Sequence, residues 1–139
     1  PRQTTMEDCL LCKISQGKII SHKVYEDKHS FAFLDIHPHA KGHTVVIPKV
    51  HAVTIFNLEE KQMQPLMPAV KKTMELLQKK LRPDGFNVGW NSGTAGGQVV
   101  PHLHIHILPR YNGDGGGSMH SIIKNPGEKA VEEVAKLFR

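Results

Sequence analysis

The sequence has 139 residues, a length that fits one domain with a hydrophobic core of ordinary size. Its 18 basic and 13 acidic residues give a formal net charge of +5, which favours anionic partners such as phosphates. The lysines form no basic stripe with interleaved aromatic residues, so no nucleic-acid polymer is expected as a partner. Because no apolar run reaches membrane-spanning length and no secretory leader is evident, we expect a soluble, cytoplasmic protein without a membrane partner.

Two cysteines lie close together in Cys9-Leu-Leu-Cys12, within a segment that we predict to form a short helical turn. A disulfide is disfavoured because the chain lacks secretory signals. A redox pair would require a thioredoxin-like helix that follows a strand, which the sequence does not show. Half of a zinc site is the third interpretation, and it requires two further ligands elsewhere in the chain.

The following segment predicts a β-hairpin and a third strand. Val24-Tyr25 and Phe31–Leu34 form the arms of the hairpin, and Asp27-Lys28 form its turn. The apolar run Thr44–Pro48 predicts the third strand, which ends at its proline. His51 follows this strand, and a single histidine in such a place is usually a surface residue rather than a ligand.

A long amphipathic helix is predicted in the middle of the chain. Asn57 and Glu60 have the spacing of a capping box at its start. Pro65 and Pro68 lie inside the helical pattern, so we expect a break or a kink there and one long helix after it. The apolar side of the helix recurs at three- and four-residue spacing and comprises Met63, Leu66, Met67, Val70, Met74, Leu77 and Leu81.

A glycine-rich loop, Ser92–Gln98, follows a predicted strand at Gly85–Asn91. Glycine lets the backbone approach a ligand closely and turn its N–H groups inward, which can form an anion-binding nest. Taken alone, the loop would be interpreted as an ordinary turn. Its position directly before a run of histidines favours the anion site.

Three histidines alternate with aliphatic residues in the segment 101–109, which we predict to be a β-strand. Side chains of a strand point to opposite faces with a period of two, so His102, His104 and His106 are expected on one face. The aliphatic face is sufficient to hold such a strand in place. Three groups that titrate near neutral pH on one rigid surface therefore indicate a functional site, although a simple three-histidine metal site is also possible.

The C-terminal part begins with a flexible, glycine-rich connection at residues 111–117. It lacks the sequence of a phosphate-binding loop, so no nucleotide fingerprint is assigned to it. A closing helix is predicted from Glu128 to Phe138, with Val131, Val134 and Ala135 among its apolar side. The prediction is one domain over residues 1–139, with a core at about 8–112 and this loop and helix at 113–139.

The histidine run resembles the His-φ-His-φ-His-φ-φ motif, in which φ is apolar, of the histidine triad (HIT) nucleotide-binding proteins. Leu108-Pro-Arg110 is closer to bacterial-type and dinucleotide-hydrolysing members. The resemblance implies an α+β fold, with an antiparallel meander of about five strands, one long helix and short terminal helices, paired as a homodimer. Other segments similar to the family occur in the same order, namely Cys9-Leu-Leu-Cys12-Lys-Ile, Phe33-Leu-Asp35-Ile-His-Pro38, Gly42-His-Thr-Val-Val-Ile-Pro-Lys49 and Asn91 to Gln98.

The resemblance also implies a catalytic role for each histidine. His104 corresponds to the nucleophile, which would attack the α-phosphorus of a nucleoside phosphoramidate or dinucleoside polyphosphate and form a nucleotidyl-histidine. His106 would donate a proton to a phosphate oxygen or to the leaving group, and His102 completes the triad. The phosphate would be held by Asn91 and by the backbone N–H groups of Gly97, Gln98 and Val99.

The nucleoside, expected to be a purine, would contact Phe33, Asp35 and Ile36, with Asp35 accepting from the ribose hydroxyls. Some members of the family carry a structural zinc, whose ligands correspond here to Cys9, Cys12, His51 and His102. Several members have a serine at the position of Val99, so a hydroxyl contact to the leaving group is absent here. An adaptor that binds nucleotides with vestigial turnover, and a protein that handles metal ions, are the competing interpretations.

Overall fold

Five antiparallel strands form one sheet in a computed structural model, which describes residues 6–139. The spatial order is β1-β2-β3-β5-β4, so the first three strands form a meander and β5 inserts between β3 and β4. The predicted α+β class is confirmed, with five antiparallel strands, one long helix and short helices near both ends of the described chain. The strands comprise β1 Lys23–Glu26, β2 Ser30–Leu34, β3 Thr44–Pro48, β4 Gly85–Gly89 and β5 Ile105–Arg110.

The helices are α1 Leu10–Ser15, α2 Glu60–Met63, α3 Leu66–Leu81 and α4 Val131–Ala135. Pro65 separates α2 from α3, as predicted, because proline lacks the N–H that would continue the helix.

The predicted helix start at Asn57 is wrong. The N-cap of α2 is Glu59, whose N–H donates to Gln62 Oε1 at 2.8 Å. The Asn57 side chain is used elsewhere, because its Oδ1 accepts from the Thr54 N–H at 3.0 Å across a preceding single-turn 3-10 helix.

The two faces of the sheet are covered by different parts of the chain. On one face, α3 packs its buried side, including Ala69, Val70 and Leu77, against Ile105 and Ile107 of β5. On the other face, α1 and the cysteine segment pack against β2 and β3 in a second cluster that includes Phe33. Burial of Ile105 and Ile107 beneath α3 holds β5 in place, which fixes the position of the histidine that it carries.

The histidine strand is shorter than the alternation predicts. β5 begins at Ile105, so His106 is the only triad histidine within a strand of the described residues. Residues 101–104 are irregular because Pro101 has no N–H and the Leu103 N–H donates to Ala52 O at 2.7 Å, outside the sheet. The three imidazoles therefore do not share one face, and His102 turns completely into the interior.

The closing helix is also shorter than predicted, because α4 ends at Ala135 and a 3-10 turn, Lys136–Phe138, follows it. Its apolar side is largely exposed within residues 6–139, since Val131 is 77% exposed and Phe138 is 84% exposed. Over residues 6–139, no helix is long and apolar enough to cross a membrane.

Candidate active site and metal cluster

His104 and His106 lie side by side at the start of β5, with ring centroids 4.9 Å apart. Both side chains are half-buried, whereas His102 is fully buried. The irregular backbone before β5 lets two neighbouring imidazoles face solvent while the third enters the core.

The protonation state of the His104 ring follows from one hydrogen bond. Its Nδ1 lies 2.7 Å from the backbone oxygen of His102, which can only accept, so Nδ1 carries the proton. The opposite nitrogen, Nε2, is then left with its lone pair. This is the form of imidazole that can attack an electrophile.

His43 is a member of the site that the sequence analysis missed. It comes directly before β3, and its Nε2 lies 2.9 Å from Nδ1 of His106. The backbone N–H of His39 donates to Nδ1 of His43 at 3.1 Å, so the proton of the neutral His43 ring must be on Nε2. His43 therefore donates to His106, and His106 in turn carries its proton on Nε2. The one available signal is the place of His43 beside the strand that pairs with β5.

Burial keeps these imidazoles neutral. Burial is the largest cause that lowers the pKa of His106, to about 4, and the neighbouring His104 and His43 add to it. Burial also lowers the pKa of His43, although the carboxylate of Asp35, 3.6 Å from its Nε2, opposes this effect. Both rings are thus neutral at pH 7, as the chain of hydrogen bonds requires.

Asp35, His43 and His106 also have the composition of a metal site, with ligand atoms within 4.8 Å of one another. The His39 N–H bond places the proton of His43 on Nε2, facing the other two residues. A metal ion would have to displace that proton and break the bond from His39. We therefore interpret this group as a hydrogen-bonded chain.

We expect the low pKa of His106 to make stability depend on pH. Its value is about 4 in the folded chain and 6.5 in the reference state, so between these values the unfolded chain takes up a proton that the folded chain does not. The contribution of neutral His106 to the free energy of unfolding should be fully present above pH 6.5. It should be lost as the pH decreases towards 4, by roughly 3 kcal/mol at most. Urea unfolding at pH 7 and pH 4.5 measures the loss, which should be smaller for His106→Gln. Equal losses in both proteins would contradict this prediction.

The glycine-rich loop is held in place by the side chain of Gln98. Its Oε1 accepts from the Gly93 N–H at 2.9 Å, and its Nε2 donates to Val53 O at 2.7 Å. The backbone N–H groups of Gly97 and Gln98 both donate within the loop. Val99 is 89% exposed. Of the three backbone N–H groups predicted to bind phosphate, that of Val99 is the one with no hydrogen-bond acceptor among the described residues.

Position 97 requires glycine, because its φ of +94° lies in the left-handed region that other residues rarely adopt. A Cβ there would lie 3.7 Å from the side chain of Asn91, so the side chain of Asn91 packs against the loop.

The three residues predicted to contact the nucleoside have different environments. Phe33 is a buried core residue, with its ring centroid 6.0 Å from that of Phe31. Ile36 is 74% exposed. Asp35 is partly exposed and lies beside the histidines, with its Oδ1 accepting from the His37 N–H at 2.8 Å. The structure thus brings Asp35 next to His43 and keeps Phe33 within the core.

Cys9, Cys12, His51 and His102 converge in the interior, and their potential ligand atoms all lie within 4.8 Å of one another. The His51 and His102 Nδ1 atoms are 3.3 Å apart, and the sulfur–nitrogen distances from the cysteines are 3.2 to 3.5 Å. Tetrahedral zinc, with bonds of about 2.0 Å to nitrogen and 2.3 Å to sulfur, separates such pairs by roughly 3.3 to 3.6 Å. The distances fit a single ion.

Three further observations favour a cation within this cluster. His102 Nε2 donates to Pro48 O at 3.0 Å, which leaves the lone pair of Nδ1 pointing at the other three ligands. His51 Nε2 is buried with no hydrogen-bond partner among residues 6–139, so the cluster alone orients that ring. Without a cation, burial raises the pKa of Cys12 to about 12, with a further rise from Cys9. The four residues can hold a metal ion, which would keep the thiols ionised.

The fold and the site define an α+β protein with a group of histidines at the start of the inner strand β5. A family model described as the HIT domain matches residues 16–113. A HIT-like protein of Methanocaldococcus jannaschii is 46% identical over 117 residues, which cover 84% of this chain and 90% of that relative. The chain belongs to the HIT family, as its motifs indicate.

Solved structures and enzymes of the family agree with this assignment. A HIT family protein from Bacillus anthracis superposes with a TM-score of 0.83 at 40% identity, covering 96% of this chain and 94% of that one. The adenosine 5'-monophosphoramidase hnt1 of Schizosaccharomyces pombe is 41% identical over 104 residues, which are 75% of this chain and 75% of that enzyme.

Proposed function

We propose that this protein is a nucleotidyl hydrolase or transferase that attacks the α-phosphate of nucleoside phosphoramidates or dinucleoside polyphosphates through a covalent nucleotidyl-His104. One observation carries the proposal: the Nδ1–H of His104 is held by the His102 carbonyl at 2.7 Å, so Nε2 is a prepared nucleophile. The adenosine 5'-monophosphoramidase names of yeast relatives support the reaction class.

In the first step, the lone pair of His104 Nε2 forms a bond to phosphorus, and the bond from phosphorus to the leaving group breaks. The His106 Nε2–H donates a hydrogen bond to the leaving group, which takes its proton from solvent, while the His43 Nε2–H supports the Nδ1 of His106. In the second step, water attacks phosphorus, loses its proton to solvent and releases His104. Each half of the reaction is an in-line displacement at one phosphorus, and the imidazoles return to their starting states.

Other residues would bind the nucleotide. We assign Asn91 and the loop residues Gly97, Gln98 and Val99 to the phosphate, with the free Val99 N–H as the direct backbone donor. We assign Asp35 to the ribose and Ile36, with Phe33 behind it, to a purine base.

The proposal includes a structural zinc ion held by Cys9, Cys12, His51 and His102. The ion would supply rigidity, because His102 contributes both a ligand and the carbonyl that orients His104. Both cysteines are free, which fits the cytoplasmic location that we propose.

We also propose a homodimer. β4 is an edge strand that pairs with β5 alone, and an exposed edge can pair with a second chain. The exposed apolar residues of α4 provide additional surface for such a partner.

Intact-mass spectrometry after brief mixing with adenosine phosphoramidate tests the covalent step. We expect a transient mass increase equal to an adenylyl group, located on His104 by peptide mapping, together with release of AMP. Tight binding of nucleotide with neither adduct nor product, across several leaving groups, would instead support the adaptor.

We expect His43→Gln to lower the rate according to the leaving group. Without the donor from His43, the proton of His106 is no longer held on Nε2. The loss of that Nε2–H should affect the rate only when the leaving group needs a proton. The rate should fall about 100-fold for adenosine phosphoramidate, the size of a general-acid effect. For the nitrophenyl ester of AMP, which leaves without a proton, the fall should be less than about fivefold.

Steady-state kinetics on both substrates measures this difference, and His22→Gln, at an exposed position, is the matched control. Equal losses on the two substrates would show that His43 has a purely structural role.

A further inference from the structure

A cavity of about 560 Å³ adjoins the site on the side of His106. Its wall includes His106 and Asn91, together with Trp90 and the C-terminal residues Met119 and Ile122. Among the described residues that line it, there is neither His104 nor any of the three residues assigned to the nucleoside. The cavity is therefore separate from the proposed nucleoside contacts but reaches the proposed proton donor.

The mechanism places the leaving group next to this cavity. In an in-line displacement, the leaving group departs from the side of phosphorus opposite the nucleophile. The proton of His106 Nε2 is directed to that group, and His106 is part of the cavity wall. Ammonia, about the size of a water molecule, needs roughly 30 Å³. The cavity is far larger than this simplest leaving group requires.

The residues of the cavity wall favour a ligand with an apolar, flat group such as an aromatic ring. Val88 and Leu108, from β4 and β5, provide an aliphatic surface, and Trp90 provides an aromatic one. Met119 and Ile122 face the same space and are 59% and 74% exposed, so their apolar surface is available to a ligand.

The wall also carries a net positive charge. Asp114 is the acidic residue of the described lining, and its carboxylate is paired with Arg110 at 2.8 Å. Lys41 is exposed and forms no ion pair within residues 6–139. The charge of Lys41 is thus available to an anion in the cavity.

Arg110 also fixes the C-terminal wall in place. Its guanidinium donates to Asn87 on β4 and to the backbone oxygen of Gly117. The Asp114 carboxylate that it binds accepts from the Gly116 N–H at 2.9 Å. Met119 and Ile122 follow this anchored turn, so the wall belongs to the structured part of the site.

We propose that this cavity is the leaving-group pocket, and that Lys41, Met119 and Ile122 make the protein select leaving groups with a flat apolar body and a negative charge. This inference rests on the proposed function, which supplies the reaction and the place of phosphorus.

Three adenylyl phosphoramidates that share one nucleotide test the inference. Their leaving amines are ammonia, 2-phenylethylamine and phenylalanine, which add first an aromatic body and then a carboxylate. In the native protein, kcat/KM should increase in that order, by about tenfold at each step. Equal kcat/KM for all three would overturn the inference.

Two variants separate the contributions. Lys41→Gln should remove most of the preference for phenylalanine over 2-phenylethylamine, a change of about tenfold in the ratio of the two kcat/KM values. The double variant Met119→Ser, Ile122→Ser should reduce the preference for 2-phenylethylamine over ammonia by about tenfold. Lys71→Gln and Met67→Ser, at exposed positions on α3, are the matched controls. Unchanged ratios in both pocket variants, or equal changes in the controls, would overturn the proposal.

Equilibrium binding to His104→Asn distinguishes the two levels of failure. Because binding needs no nucleophile, affinity should follow the same order of leaving groups even without turnover. If the variant binds the three ligands in the expected order but the native protein forms no product from any of them, the proposed function alone is contradicted. A chain that turns over all three without preference would contradict the pocket alone.

Discussion

The variant His104→Asn is expected to lower kcat/KM for adenosine phosphoramidate by about 10⁴-fold or more, the size of effect found when the nucleophile of a covalent mechanism is removed. Asparagine preserves a polar group of similar reach but offers no lone pair on a basic nitrogen. Because the phosphate and ribose contacts remain, the Kd for AMP should change by no more than about threefold. Stopped assays of product release, together with calorimetric binding of AMP, measure the two quantities.

His22→Asn, which changes an exposed histidine, is the control for the substitution itself and should retain full activity. A comparable loss in the control, or adduct formation in the His104 variant, would contradict the assignment of His104 as the nucleophile. A parallel loss of AMP affinity would indicate that the asparagine had disturbed the loop rather than the chemistry.

The second large effect is expected from the metal cluster. The double variant Cys9→Ser, Cys12→Ser should retain less than about 0.1 zinc per chain, against about one in the native protein, because serine is a poor zinc ligand at neutral pH. Two imidazoles would then remain buried without their cation. We expect the free energy of unfolding to fall by about 3 to 5 kcal/mol and Tm to fall by about 10 °C or more.

Elemental analysis and thermal unfolding, each with and without a chelator, measure this prediction. The His104→Asn variant is the matched control, since it leaves all four cluster residues unchanged and should retain its zinc. Full zinc content in the cysteine variant would exclude the cluster as the metal site. A native protein that takes up no zinc during refolding would exclude it equally.

The sequence allowed prediction of much of the fold because local signals and tertiary packing agree there. The periodicity from Met63 to Leu81 predicted α3, and Pro65 predicted the break before it. The prediction of a helix start at Asn57 failed because the Asn57 side chain accepts from the Thr54 N–H instead of capping the helix that follows.

The histidine run shows why the site was harder to predict than the fold. Strict alternation predicted one face with three imidazoles, yet Pro101 and the Leu103–Ala52 bond keep the segment before Ile105 out of the sheet. Alternation describes a strand correctly only where the ladder of hydrogen bonds continues.

The role of His43 could not be derived from its local sequence. Its contact with His106 spans 63 residues and depends on the pairing of β3 with β5. The metal cluster has the same character, because Cys9 and His102 are 93 residues apart. The resemblance to the family predicted those residues as ligands, whereas the residues alone left three interpretations of the cysteines open.

His102 joins two centres through a single residue. Its ring lies in the cluster proposed to bind metal, and its carbonyl orients the ring of His104, the proposed nucleophile. Occupancy of the two centres is therefore subject to thermodynamic reciprocity: whatever factor the metal adds to the affinity for nucleotide, the nucleotide must add to the affinity for metal. Where both ligands favour the same arrangement of His102, bound nucleotide would raise the affinity for metal, so the supply of one ligand would tune the retention of the other.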